Sequence, residues 1–185
     1  SQVSLLAIIQ RSHLVLTNET STKGDIMSLA LFDLDNTLIA GDSDHLWGDF
    51  LVAEGLVDPD KHKALNEHYY QQYQQGQLDI DEYLSFALGP MAGMTPETLS
   101  ALQNKFLKKH VEPVLLDAAF DLLQAHRVNG DTLIIITATN TLVTQPIADR
   151  LGVEHLIGCE AELKDGRYTG KPEGVPSFGE GKVRR

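Results

Sequence analysis

The sequence predicts an α/β protein built on a parallel sheet, with an all-helical segment inserted between two of its strands. Three observations lead there. Two short apolar runs, Leu29-Ala30-Leu31-Phe32 and Thr132-Leu133-Ile134-Ile135-Ile136, read as strands buried on both faces. Between them, residues 43–110 carry helix signals throughout and offer no strand candidate. A strand, helix, strand order with all-apolar strands implies parallel neighbours joined by right-handed crossovers.

Each element follows in turn. Residues 1–26 read as an extension outside the domain, because Met27 directly precedes the first convincing strand; an extra strand over residues 13–17 is the alternative. The strand at residues 29–32 runs on to Asp33 and Asp35, and Gly41 breaks the chain. Asp44 is placed to cap a helix that reaches Glu54 and stops at Gly55. Residues 61–75 are polar and helical, with Tyr69 and Tyr73 one turn apart, before Gly76. Residues 80–88 form the next helix, ended by Gly89-Pro90. Thr95-Pro96 supplies an N-cap and a proline at the first helical position, opening a helix through Lys109. After Pro113, residues 115–126 are amphipathic and Gly130 follows. The second strand ends at Thr137, a helix through residues 147–151 ends at Gly152, and residues 156–171 read as a hairpin turning at Asp165-Gly166. The division is an extension at residues 1–26, a Rossmann-like core from residues 27–42 and 111–185, and a helical cap at residues 43–110.

Composition bounds the partners. Hydrophobic residues make up 42% of the 185, enough for a packed core. A net charge of −11 disfavours nucleic acid and anionic membranes, while local donors still permit a phosphorylated small molecule. No apolar run approaches the roughly 20 residues needed to cross a bilayer. The run from Leu5 to Ile9 is shorter than a signal-peptide core and is followed by Arg11 and His13. The single Cys159 cannot pair internally, so a cytoplasmic, reducing setting is expected.

The chemistry concentrates in Phe32-Asp33-Leu34-Asp35-Asn36-Thr37-Leu38. Two carboxylates two residues apart, at the carboxyl end of a buried strand, stand where open α/β sheets bind ligands. Carboxylates crowded together need a counter-ion, and Mg²⁺ prefers oxygen donors, so Asp33 and Asp35 are candidate metal residues. An Asp-rich turn that merely ends a strand remains the alternative for the two acids alone. The second strand ends Thr137-Ala138-Thr139-Asn140 and runs into a helix, where hydroxyls and backbone N–H groups can receive a phosphate. The capping of that helix is the alternative. Lys182, in Phe178-Gly179-Glu180-Gly181-Lys182, is a candidate cation, with a solvated surface lysine as the other reading.

The apolar strand followed by DxDxT and Leu38 resembles the signature of the haloacid dehalogenase-like superfamily. The helical cap after it, and the later Asp-Gly-Arg-Tyr-Thr-Gly hairpin, resemble the phosphoserine-phosphatase-like branch. Gly41-Asp42-Ser43-Asp44-His45 with Trp47 looks like the relatives assigned as histidinol-phosphate phosphatases. The resemblance implies a Mg²⁺-dependent phosphatase acting on a small phosphate ester. Asp33 is then the nucleophile that forms an aspartyl-phosphate, and Asp35 the general acid and base, its backbone carbonyl also a metal ligand. Thr137 and Lys182 hold the phosphoryl oxygens. The family also carries a later acidic motif that completes the metal site; no acidic residue follows Glu180, so a C-terminally truncated chain of doubtful independent activity is expected.

In the phosphoserine branch an acidic residue soon after the first motif holds the substrate amine, and a cap arginine holds its carboxylate. Asp42 stands at the first place, but no arginine occurs between Asp33 and His126. A carboxylate buried without a cation is costly, so phosphoserine is the alternative and histidinol phosphate the preferred substrate. Asp42 and Asp44 would pair with its cationic groups, Trp47 would stack on the imidazole, and Thr139 and Asn140 would help hold the substrate. Asp42 and Asp44 acting only as helix caps is the competing reading. Three rivals remain: a phosphorylated receiver domain, against which the DxD on one strand and the long cap argue; an inactive remnant that binds a phospholigand or partner; and a phosphotransferase or mutase. Tyr69, Tyr70 and Tyr73 read as cap packing and Cys159 as structural, and the scattered histidines suggest no zinc site.

Overall fold

The computed structural model describes residues 10–14 and 27–178, with backbone alone for residues 10–14 and Met27. Lys182 lies outside the described residues. The strands β1 (Gln10–Leu14), β2 (Met27–Phe32), β3 (Thr132–Asn140), β4 (His155–Lys164) and β5 (Arg167–Glu173) follow one another in that spatial order. β2, β3 and β4 run parallel, with Leu31 beside Ile134 and Ile135 beside Leu156. β1 pairs antiparallel with β2, Ser12 beside Leu29. Residues 10–14 are therefore part of the sheet rather than an extension outside it. The strand overlaps the alternative at residues 13–17 and lies closer to the N-terminus.

β3 shows why these runs become strands. Leu133, Ile135 and Thr137 alternate as its buried positions, and the residues between them are half-buried under the other face. The strand continues past the expected end at Thr137 to Asn140, through an irregularity in its pairing with β4. Helices α5 (Asp117–Val128) and α6 (Thr141–Leu151) pack on the sheet through Ala119 and Leu123, and through Val143, Ile147, Ala148 and Leu151. The α/β core with a parallel β2–β3–β4 sheet is the expected class.

Between β2 and α5 the chain forms the helical cap: α1 (Ser43–Ala53), α2 (Pro59–Gln74), α3 (Ile80–Leu88) and α4 (Pro96–Phe106), the last ending in a π-helical turn at Leu107–Val111. α3 has the predicted bounds, capped by Asp79, whose carboxylate accepts from the N–H groups of Asp81 and Glu82. Asp42, not Asp44, caps α1: its backbone is extended and its Oδ1 accepts from the His45 N–H at 2.9 Å. Trp47, Phe50 and Phe106 interlock, with the Trp47 and Phe106 rings edge to face at 4.9 Å. α2 differs from its neighbours because none of its residues is fully buried.

The β4–β5 hairpin holds the cap from the core side. Asp165 and Gly166 both have positive φ, as the two-residue hairpin turn requires. The Tyr168 N–H donates to Met94 O, and the Gly93 N–H donates to Tyr168 O at 2.8 Å. Gly170, at φ +79, lies so close to the α3–α4 corner that a Cβ there would stand 2.9 Å from the Cβ of Ala92.

Candidate active site

The turn after β2 builds the site. Beyond Asp35 the chain bends through Asn36, a non-glycine residue with φ 55. The Asn36 N–H donates to Gly41 O at 2.8 Å and the Leu38 N–H to Leu34 O at 2.9 Å, while Leu34, Leu38 and Ile39 are fully buried. These apolar anchors fix the loop, and the polar residues between them face outward. Asp33 is exposed at the strand end, and Asp35 is half-buried.

Asp35 is the convergence point. Its Oδ1 accepts from the Ser43 N–H at 2.7 Å, at the first turn of the cap. Its Oδ2 accepts from the hydroxyls of Thr137 and Thr139, each at 3.3 Å, at the end of β3. The Thr139 N–H donates to Thr137 Oγ1 at 3.1 Å. The two motifs, about a hundred residues apart in sequence, thus meet on one carboxyl group. Burial raises the Asp35 pKa above the ordinary carboxylate range; the Ser43 hydrogen bonds oppose this, and repulsion from Asp42 and Asp33 adds to the rise. Asp44 is half-buried beside these acids, and burial, with repulsion from Asp42 and Asp35, pushes it up to about 7.

A cavity of about 900 Å³ opens between core and cap. Asp35, Ala138 and Thr139 form its core side, Asp42 and Asp44 its hinge side, and tyrosines of α2 and α3 the opposite wall. Asp33 and Thr137 stand outside that lining. Cys159 braces the core side from behind: its buried thiol donates to Ala138 O at 3.1 Å and accepts from the Ser177 N–H at 3.2 Å.

Two expected substrate contacts are corrected. Trp47 is only 2% exposed and is consumed by the aromatic cluster of the cap, so it presents no face to a ligand. Asn140 is 1% exposed, and its Oδ1 accepts from the Val143 N–H as the cap of α6. Sequence reasoning also missed Tyr69, Tyr70, Tyr73 and Tyr83, which line the cavity. The available signal was a helix whose only aromatic residues sat among polar ones, with no further apolar stripe to seat it on a core.

A metal fit can be judged from the donors present. Both carboxylate oxygens of Asp35 already accept hydrogen bonds. Its side chain therefore suits proton transfer better than ligation, which leaves the Asp33 carboxylate and the Asp35 backbone carbonyl as the oxygen donors for a hard cation. Among the described residues no group of three or more His, Cys, Asp or Glu forms a complete cage. Mg²⁺ is commonly held by one or two carboxylates with waters and substrate phosphate, so this partial set fits it.

Comparison with known proteins agrees with the architecture. The family model for haloacid dehalogenase-like hydrolases matches residues 30–185. A histidinol-phosphatase of Neisseria meningitidis is 42% identical over 159 residues, covering 85% of this chain and 72% of the relative. A phosphoserine phosphatase of Mycobacterium tuberculosis is 29% identical, covering 86% of this chain and 53% of the relative, so the chain spans about half of that protein's length. The crystal structure of a protein of unknown function from Bordetella pertussis superposes with a TM-score of 0.77 at 43% identity, over 84% of this chain and 70% of that one. With the family model matched across most of its length, the chain belongs to the haloacid dehalogenase-like hydrolases.

Proposed function

We propose that the protein hydrolyses a small phosphate monoester through an aspartyl-phosphate on Asp33, with histidinol phosphate as the substrate. The observation that carries the reading is Asp35, a carboxyl at the cavity wall with a raised pKa and hydrogen bonds from both the cap and the end of β3. Burial disfavours the charged form of Asp35, the direction a general acid requires. An Asp33 oxygen attacks phosphorus, and the bond to the leaving oxygen breaks as Asp35 gives that oxygen its proton. Asp35, now ionised, takes a proton from the water that attacks the aspartyl-phosphate, which releases phosphate and restores Asp33. The Thr137 and Thr139 hydroxyls, which donate to Asp35, orient it, and Thr137 is assigned to the phosphoryl oxygens, to which its hydroxyl would turn from Asp35. Lys182 is assigned to the same oxygens. Mg²⁺, held by Asp33 and the Asp35 carbonyl, would offset negative charge on phosphate and nucleophile. The lone, buried Cys159 suits a cytoplasmic setting, and no helix of the described residues is long and apolar enough to cross a membrane.

Two findings support the substrate. The relative at 42% identity is a histidinol-phosphatase, and no lysine or arginine occurs among the described residues lining the cavity. Phosphoserine is the second reading, favoured by the 29% identical mycobacterial relative, but its carboxylate would meet Asp42 and Asp44 without a counter-charge. The test compares kcat/KM for histidinol phosphate and phosphoserine, with Asp33→Asn as control. Histidinol phosphate should be preferred, and Asp33→Asn should lose about a thousandfold or more while its circular dichroism stays unchanged. Preference for phosphoserine would overturn the substrate, and a fully active Asp33→Asn would overturn the nucleophile.

A further inference from the structure

The cavity is far larger than a phosphate needs, and the wall facing Asp35 is aromatic. Tyr69, Tyr70 and Tyr73 project from α2 and Tyr83 from α3. Tyr69 and Tyr83 meet edge to face at 5.5 Å, and Tyr73 approaches Phe178, across from α2, at 6.3 Å. Packing does not account for all of them. Tyr70 is 55% exposed and Tyr73 58% exposed. A folded cap gains little by holding two large rings in water on a helix that buries no residue fully, so their faces are available to a ligand. The lining around them is mainly acidic, with His45 the one ionisable base among the described lining residues. Glu67 joins Asp42 and Asp44 in the lining, and its Oε1 accepts from Gln71 at 2.9 Å, which fixes the carboxylate at the wall.

Ring faces carry negative potential, so aromatic residues beside carboxylates attract an organic cation and repel an anion. We infer that this tyrosine wall, with Glu67, is the leaving-group pocket that selects a phosphate ester of a cationic, carboxylate-free alcohol, and that Tyr73 and Glu67 are its specificity-determining residues. The assignment rests on the phosphatase reading above, but not on histidinol being the alcohol. Phosphate lies toward Asp33 and the end of β3, while the ammonium or imidazolium group lies against the α2 rings. The Tyr73 contact with Phe178 places the same ring at the junction between cap and core, so a ligand on it is held from both sides.

The test separates this pocket from the choice of substrate. kcat/KM is measured for O-phosphoethanolamine and glycerol 3-phosphate, small esters of a cationic and a neutral alcohol, and for histidinol phosphate. The amine ester should be preferred over the neutral one. Tyr73→Ala should cut that preference about 3- to 30-fold, the range of one cation–π contact. Tyr73→Phe, which keeps the ring face, should retain it, and Glu67→Gln should reduce it. Refusal of histidinol phosphate with this pattern intact would sink the substrate reading and leave the pocket standing. Equal use of the two probes, a preference unmoved by Tyr73→Ala and Glu67→Gln, or loss in Tyr73→Phe equal to that in Tyr73→Ala would each overturn the pocket, whatever happens with histidinol phosphate.

Discussion

The side-chain amide of Gln103, on α4 of the cap, donates to the main-chain oxygen of Leu142, on α6 of the core, at 2.6 Å. The reason lies four residues along α6. Pro146 sits inside the helix and has no N–H to offer Leu142. Gln103 takes the place of the missing donor and ties the cap to the helix that follows the Thr137–Asn140 end of β3. Gln103→Ala leaves the partly buried carbonyl unpaired and should cost about 1–3 kcal/mol in urea denaturation. Pro146→Ala restores the helical donor, so the same substitution should cost clearly less in that background. A double-mutant cycle with no coupling energy would contradict this compensation.

Asp44 should make stability depend on pH. Its folded-state pKa, about 7, lies above the unfolded value, so the folded protein binds the extra proton between about pH 4 and 7. The Asp44 contribution therefore favours folding at low pH, declines as pH rises through that window, and is constant above it. Asp44→Asn removes the penalty. In metal-free buffer the variant should match the wild type near pH 4 and exceed it by about 2 kcal/mol at pH 8, an amount discounted for partial exposure. Parallel melting-temperature profiles for the two proteins would refute it.

Trp47 should matter for folding rather than for substrate choice. It fills the cluster with Phe50 and Phe106, and its indole N–H is buried with no hydrogen-bond partner among the described residues. Trp47→Ala should cost about 3–5 kcal/mol. Trp47→Phe keeps most of the packing and removes the unpaired donor, so it should cost much less. Neither should change the ratio of kcat/KM between cationic and neutral esters by more than about twofold, since the ring does not reach the cavity.

Gly170 offers a test of the contact between hairpin and cap. Gly170 and Gly174 both have positive φ, but only Gly170 has the cap within reach of an added Cβ. Gly174→Ala should cost about 1 kcal/mol from backbone conformation alone. Gly170→Ala should cost about 2 kcal/mol more in chemical denaturation, because Ala92 and the Gly89 backbone must shift. Equal losses would show that the approach is looser than the geometry implies.

Local signals in the sequence located most elements. The strand before Asp33, the helix at residues 80–88 and the Asp165-Gly166 turn each follow from a short-range pattern, and each is found in place. The meeting of the DxD segment with Thr137 and Thr139 was also readable, because a parallel crossover brings the carboxyl ends of β2 and β3 together. What escaped were choices made by tertiary packing. Asp42 and Asp44 are equally good caps on paper, and only the extended backbone of Asp42 decides between them. Trp47 and Asn140 fit a binding role by type, yet the cap core and a helix end claim them. Tyr70 and Tyr73 were read as packing because periodicity marks a helical face without revealing whether protein or a cavity stands opposite. Residues 10–14 carry too weak an alternation to announce a strand, and pairing with β2 supplies what propensity does not.

That α2 buries no residue fully has a consequence for motion. The free energy needed to open a segment locally scales with the apolar surface that must be re-exposed, and for α2 that amount is small beside what β3 or α6 would lose. The wall facing Asp35 is therefore the least tightly held part of the cap, while the π-helical turn, the Gln103 bond and the hairpin contacts keep α4 and the α3–α4 corner in place. Backbone amides of residues 59–74 should exchange with deuterium through openings of a few kcal/mol, and those of β3 only near the global unfolding free energy. Substrate can then enter and the alcohol leave by local loosening of one helix, with Asp33, Asp35 and the sheet beneath them left undisturbed.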